Sequence, residues 1–260
     1  MKTVDLDPEL FIENRRRLRT RLLPNSIAVV HANDVMPTNA DGAMPFQQNA
    51  DLFYLTGVNQ EESIFLLAPH AAERKFREIL FVRETNEQIA IWEGAKLTRE
   101  QAAKVSGIHT VRWLSDFPAL FRLLVLEAEN VYLNTNEHAR ASVEVQTRDG
   151  RFISDCQRKF PLHRYHRLAP LMHELRAVKS PSEVQVIRRA CDITRKGFLR
   201  VCKFVKPGVN EAEPASSGSI DRPCRTGGFD VAPASSKKVG AKSMSSTICP
   251  ICVPGLISFG

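Results

Sequence analysis

The chain has 260 residues, of which 43% are hydrophobic and 25% charged, the balance of a soluble globular protein large enough for one big domain or two ordinary ones. No run of about 18 apolar residues exists to span a membrane, and the start MKTVDLDPEL lacks the apolar core of a secretory signal, so a cytoplasmic location is expected. A net charge of +7 raises nucleic acid or an acidic surface as a partner.

The sharpest basic run, RRRLRTR from Arg15 to Arg21, weakens that idea. Phe11, Leu18 and Leu22 recur at helical spacing, which predicts an amphipathic helix with the arginines around its solvated side. No aromatic-interleaved basic strand or binding motif accompanies the run, so neither nucleic acid nor membrane is expected as a partner. Six cysteines without a signal argue against a disulfide framework. Cys249-Pro-Ile-Cys252 has C-x-x-C spacing and Cys224 lies upstream, but no second pair completes a zinc site, and no strand-to-helix setting makes it a redox motif.

In chain order, Asp7-Pro8 predicts a capped helix that ends before Pro24. SIAVVHA reads as a buried strand. NDVMPTNADGAMPFQQNADLFYLTG reads as a long ordered loop anchored by Phe46, Phe53 and Tyr54. SIFLLAP, REILFVR and EQIAIWEG read as three strands, close enough for antiparallel pairing between neighbours. TREQAAKVSG predicts a helix closed by glycine, HTVRWLS a strand, SDFPALFRLLVLEA a helix and NVYLNT another strand. The pattern argues for an α/β domain with a mixed sheet to about residue 160.

RLAPLMHELRAVKS predicts a further helix. In Ser180-Pro181-Ser182-Glu183 a serine cap, a first-turn proline and a reciprocal glutamate open the next one. Val184, Ile187, Cys191, Thr194, Phe198, Val201 and Val205 then track one face until Pro207-Gly208. That apolar face needs a partner layer. His163 and His166 in HRYHR have no carboxylate cluster beside them and read as part of a connecting segment. His173 reads as a packed or surface residue.

Three stretches, NADGAMPFQQNADLFYLTGVNQEES, the later IWEG, and PLMHELRAVKSPSEVQVIRRACDIT followed by KPGVNE, resemble in order and separation the Xaa-Pro aminopeptidases (aminopeptidase P) of the creatinase-like metallopeptidases. The resemblance covers roughly residues 8 to 213. It implies an aminopeptidase P N-terminal domain with a mixed six-stranded sheet over residues 1–160. Residues 161–213 would be a connecting segment and the first helix of an incomplete pita-bread catalytic domain, and 214–260 an irregular tail unlike the family. It also implies a chemistry: two divalent ions, typically manganese, held by two Asp, one His and two Glu, with a bridging hydroxide attacking the bond that precedes proline. Gln47 departs from the family, which commonly has arginine there, and an amide cannot replace a guanidinium fork.

All five ligands belong beyond Glu213, where this chain has no Glu, no His, and only Asp221 and Asp230 as acids. The chain is therefore expected to bind no metal and to be inactive alone. Asp192, in a run similar to that around the family's second metal-binding Asp, has Pro181 where the partner acid should stand and is expected to bind nothing. The one candidate site residue is Trp92: in the family the matching tryptophan enters a neighbouring subunit's active site and lines the substrate pocket, although such a tryptophan also packs in cores and interfaces. The change of pattern at Pro214 reads as two messages joined, by a shifted frame or a replaced terminus, the alternative being a natural short paralogue. An Xaa-Pro aminopeptidase truncated before its ligands and a non-catalytic binding or oligomerisation module, homo- or hetero-oligomeric, are the two functions that follow.

Overall fold

The computed structural model describes residues 6–40, 42–138 and 144–205. These fall into two units, one running to Val178 and one starting at Lys179.

In the first unit α1 (Pro8–Arg19) opens where Asp7 accepts a hydrogen bond from the Glu9 amide and Pro8 takes the first turn. β1 (Ser26–His31) follows, buried at every position. The stretch read as loop then contains a helix, α2 (Ala50–Thr56), capped by Asn49 and ended by Gly57 in the left-handed region. β2 (Ile64–Leu67) and β3 (Glu78–Val82) lie where their patterns put them. The third strand expected there does not form. EQIAIWE is a helix, α3 (Glu87–Glu93), because the Asn86 side chain accepts from the Ile89 amide and Gly94 stops the turn. α4 (Arg99–Ser106), β4 (Thr110–Trp113), α5 (Phe117–Glu127) and β5 (Asn130–Leu133) follow as read.

Two further elements, like α2, had no sequence counterpart. α6 (Arg148–Lys159) starts at the Thr147 cap, and β6 (Arg164–Arg167) occupies the segment read as a connector. β6 pairs with β5 and α7 (Ala169–Ala177) follows, so the compact unit continues to Val178 instead of ending near residue 160.

The six-stranded sheet has the order β4-β3-β2-β1-β5-β6. β1–β2 and β2–β3 are antiparallel; β3–β4, β1–β5 and β5–β6 are parallel. This is the mixed α/β fold expected. Strand side chains alternate between two cores. Ala28, Val30, Phe65, Leu67 and Leu80 face the layer built from α1, α2, α4 and α7. Ile27, Val29, Leu66, Ile79 and Phe81 face α5 and α6 through Phe117, Phe121, Leu124 and Cys156.

The arginine run lies on a solvated face as expected at Arg16, Arg19 and Arg21, but not at Arg15. Arg15 stands four residues after Phe11 and three before Leu18, on their stripe, and is 1% exposed. Its Nε pairs with Glu78 at 2.9 Å, and one Nη donates to the carbonyls of Leu55 (2.8 Å) and Ser106 (2.9 Å). Those carbonyls are at the C-termini of α2 and α4, whose last acceptors need partners from outside the helix. α1 therefore crosses two helix ends. Each end closes on a left-handed glycine pressed against it: a Cβ on Gly57 would lie 2.3 Å from the Phe11 ring, and one on Gly107 2.8 Å from Ile12.

The second unit contributes α8 (Pro181–Phe204). The Ser180 hydroxyl accepts from the Glu183 amide (3.3 Å) while the Glu183 carboxylate accepts from the Ser180 amide (2.7 Å), the reciprocal cap read from the sequence. On its apolar face Phe198 is 60% exposed. The tail, with Cys224, Cys249 and Cys252, lies outside the described residues.

Candidate functional site

The carboxyl ends of the parallel strands β1, β5 and β6 lie at one end of the sheet, and polar side chains gather there. Asp51, at the start of α2, accepts from Asn134 after β5 (3.0 Å) and from Arg176 of α7 (2.8 Å). Asp51, Asn134 and Arg176 thus tie three segments of chain together across the end of the sheet. His31 ends β1 with its Nδ1 3.1 Å from the Asp149 carboxylate and its ring 4.5 Å from that of Phe152. Asp34 accepts from the Arg148 amide (2.7 Å) and from the Arg151 guanidinium (2.6 Å), so a carboxylate of the chain itself already occupies the N-terminus of α6. Glu137 takes Arg167, whose hydrogen bond holds its carboxyl below the usual carboxylate range. Every acid here has a basic or amide partner, as structural fastening requires.

A second feature is a strap between β3 and α4. At its start the Glu84 carboxylate accepts from the Ser115 hydroxyl at 2.5 Å. At its end Lys96 pairs with Glu61, and the Leu97 amide donates to the buried Gln60 at 2.7 Å. α3 lies between these anchors and carries Trp92 in its last turn. The Trp92 side chain lies outside the described residues. Its neighbour Ile91 is 77% exposed, so α3 offers an apolar side chain to solvent. The strand-end position expected of Trp92 is thereby corrected to a helix C-terminus; Asn86 as a cap and Gly94 as a stop were the signal for it.

Among the described residues no three His, Cys, Asp or Glu side chains come together to hold a metal ion. His163 and His166 do not share a site: the first contacts the Val125 carbonyl (2.8 Å), the second bonds Asn130 (2.9 Å) and stacks on Tyr132. His173 is exposed on α7. Asp192 lies on the exposed side of α8, 3.8 Å from Arg195. Burial, aided by the charge of Asp155, raises the Cys156 thiol to about 12, which removes it as a nucleophile. The exposed Gln47 uses its backbone carbonyl, which accepts from Asn33 at 3.0 Å. The ligand set implied by the resemblance thus has no counterpart among these residues. No helix among them is long and apolar enough to cross a membrane.

The comparisons with known proteins converge. Residues 11–132 match the family model described as aminopeptidase P, N-terminal domain. The Xaa-Pro aminopeptidase of Escherichia coli K12 is 27% identical over 209 residues, which cover 80% of this chain and 47% of that protein. Among solved structures, aminopeptidase P from E. coli in its low-pH form superposes with a TM-score of 0.68 at 25% identity, covering 84% of this chain and 49% of its own. Pseudomonas aeruginosa aminopeptidase PepP shares the fold, with a TM-score of 0.71 at 23% identity over 87% of this chain and 51% of its own. The chain spans about half the length of the curated relatives it matches.

Proposed function

Residues 11–132 form an aminopeptidase P N-terminal domain, and from that premise we propose that the chain serves metal-dependent removal of an N-terminal residue preceding proline. Within that activity it acts as the part that contacts a neighbouring subunit. The observation that carries the proposal is the family match, continued through α8 by the order of the quoted motifs. Trp92 on α3 is the residue assigned to the substrate pocket of an adjacent subunit. The exposed Ile91 beside it supports an arm that meets something outside its own domain.

The two ions, manganese by family resemblance, would supply the hydroxide nucleophile and polarise the carbonyl. The residues present do not fit them: the described part brings no three ligands together, and residues 214–260 hold no Glu or His. No step is therefore assigned to these 260 residues. Alone they neither bind the ions nor turn over peptide. They act in the cytoplasm, in a homo- or hetero-oligomer, with the ligands supplied only where a full-length partner subunit joins, and neither nucleic acid nor membrane is a partner. The same lack of ligands favours a second reading, a non-catalytic module that binds or joins subunits.

The test is hydrolysis of an Xaa-Pro peptide with added manganese, with metal content measured on the same sample. It is repeated after mixing with a full-length relative such as the E. coli enzyme. No turnover alone, and a Trp92-dependent change in the mixture, is the expected result. Turnover by the chain alone with stoichiometric metal refutes the assignment; association without any Trp92 effect favours the non-catalytic module.

A further inference from the structure

Among the described residues three glycines have positive φ, and one of them has no packing reason to be glycine. Gly57 and Gly107 sit in the left-handed region (φ 68 for both), close their helices through amide hydrogen bonds to Phe53 and Ala103, and press on α1. Gly94 does none of this. Its φ of 80 and ψ of 163 lie in a region essentially reserved for glycine, where even asparagine is not at home. A Cβ there would meet nothing within 4 Å. The glycine is thus demanded by the direction of the backbone alone, at the point where α3 meets the anchored end of the strap.

We propose that Gly94 is a positioning residue: the joint that sets the direction of α3, and hence how the arm carrying Ile91 and Trp92 is presented to a neighbouring subunit. The proposal rests on the role assigned to Trp92 above. Its physical content is that the strap has two fixed ends, Glu84 on Ser115 and Lys96 with Leu97 on Glu61 and Gln60, and between them one residue at positive φ. A side chain at that residue forces the backbone into another region. Because the far anchor holds, the change must be taken up by α3.

Gly94→Ala is a clean perturbation, since no neighbour is crowded. In the full chain carrying Trp113→Phe, Trp92 is the only tryptophan, so its emission and acrylamide quenching report on α3. The expected result is a quenching constant changed by about twofold and amide exchange across 87–93 faster by about tenfold, with the thermal midpoint unmoved. Gly94→Asn, which at positive φ tolerates only the left-handed region, should behave like the alanine variant. An unchanged Trp92 signal together with unchanged exchange overturns the proposal. The exchange measurement is repeated without Trp113→Phe, in case that change disturbs the fold. The two readings fail separately. If Trp92→Ala leaves hydrolysis in the mixed assembly untouched while Gly94→Ala redirects α3, the trans role of Trp92 falls and the joint stands. If Trp92→Ala matters and Gly94→Ala moves neither signal, the joint falls.

Discussion

Replacing Arg15 by methionine keeps the aliphatic stem that packs beside Phe11 and Leu18 but removes every donor. Three acceptors then lose their partner: the Glu78 carboxylate and the carbonyls of Leu55 and Ser106. The Glu78 side chain is 26% exposed and turns to water, so its loss is small. The two carbonyls are buried at helix ends, and each left without a donor costs about 1–3 kcal/mol. Relief from burying the guanidinium, whose pKa is lowered by that burial, offsets part of this. The expected loss is about 3 kcal/mol, or a fall in the thermal midpoint of about 6–12 °C for a unit of this size. Urea unfolding followed by far-UV circular dichroism measures it, with Arg16→Met as the control. Arg16 has its Glu13 partner on the solvent side, and its loss should leave the midpoint in place. Equal effects from the two variants, or a loss below about 1 kcal/mol for Arg15→Met, would refute the idea that one arginine of the run fastens α2 and α4 to α1.

The other glycines separate packing from propensity. Gly57→Ala sets a Cβ 2.3 Å from the Phe11 ring at φ 68 and should cost about 3 kcal/mol or more, read from the same unfolding curves. Gly197→Ala meets nothing within 4 Å inside α8 and should raise helix stability by about 0.5–1 kcal/mol, read as slower amide exchange along that helix. Toward iodoacetamide, peptide mapping should find the exposed Cys191 and Cys202 modified well before the buried Cys156, whose thiol stands at about 12; early modification of Cys156 would disprove its burial. The Glu61 carboxyl is raised by burial, but the Lys96 hydrogen bond, its own backbone amide and the charges of Lys96 and Arg83 together bring it below the ordinary value. Its contribution is therefore full above the unfolded carboxyl pKa near 4.3 and is lost as pH falls through the lower folded value. The stability gap between wild type and Glu61→Gln should be widest at neutral pH and close in acid; a gap independent of pH would show that the pair contributes nothing.

Most of the sheet was legible because its strands carry continuous apolar runs bounded by turn residues. Most helices were legible through their ends: Asp7-Pro8, Thr98 with Gln101, and Ser180 with Glu183 each present a cap that needs only local atoms. The misreadings have physical causes. In EQIAIWEG two isoleucines alternate with smaller or polar residues, and that short pattern suits a strand as well as about two helical turns; the Asn86 cap decides it. NADLFYLTG hid α2 for a different reason, because it closes a stretch rich in Asn, Asp, Gly and Pro that reads as loop, although Asn49 and Gly57 flank it. β6 reads RYHR, with two arginines and a histidine, because an edge strand faces water on one side, and nothing in its composition separates it from a connector. At the candidate site, the resemblance singled out Trp92, whereas the role of Gly94 beyond a helix stop is visible only through its dihedral angles.

By itself the sequence determined what depends on near neighbours along the chain: the apolar periods that sort residues to either face of the sheet, the capped helix starts, and the want of metal-ligand spacing after Glu213. Tertiary structure alone decided what depends on residues remote from one another. Arg15 looks like a surface charge until Leu55 and Ser106 arrive from 40 and 91 positions away. β6 becomes a strand only when β5 offers its edge, and the strap is a strap only because Glu61 and Lys96 meet across 35 residues. A buried ion or an edge strand is stable only through partners that local sequence does not name, and so the fold, not the run of residues, assigns them.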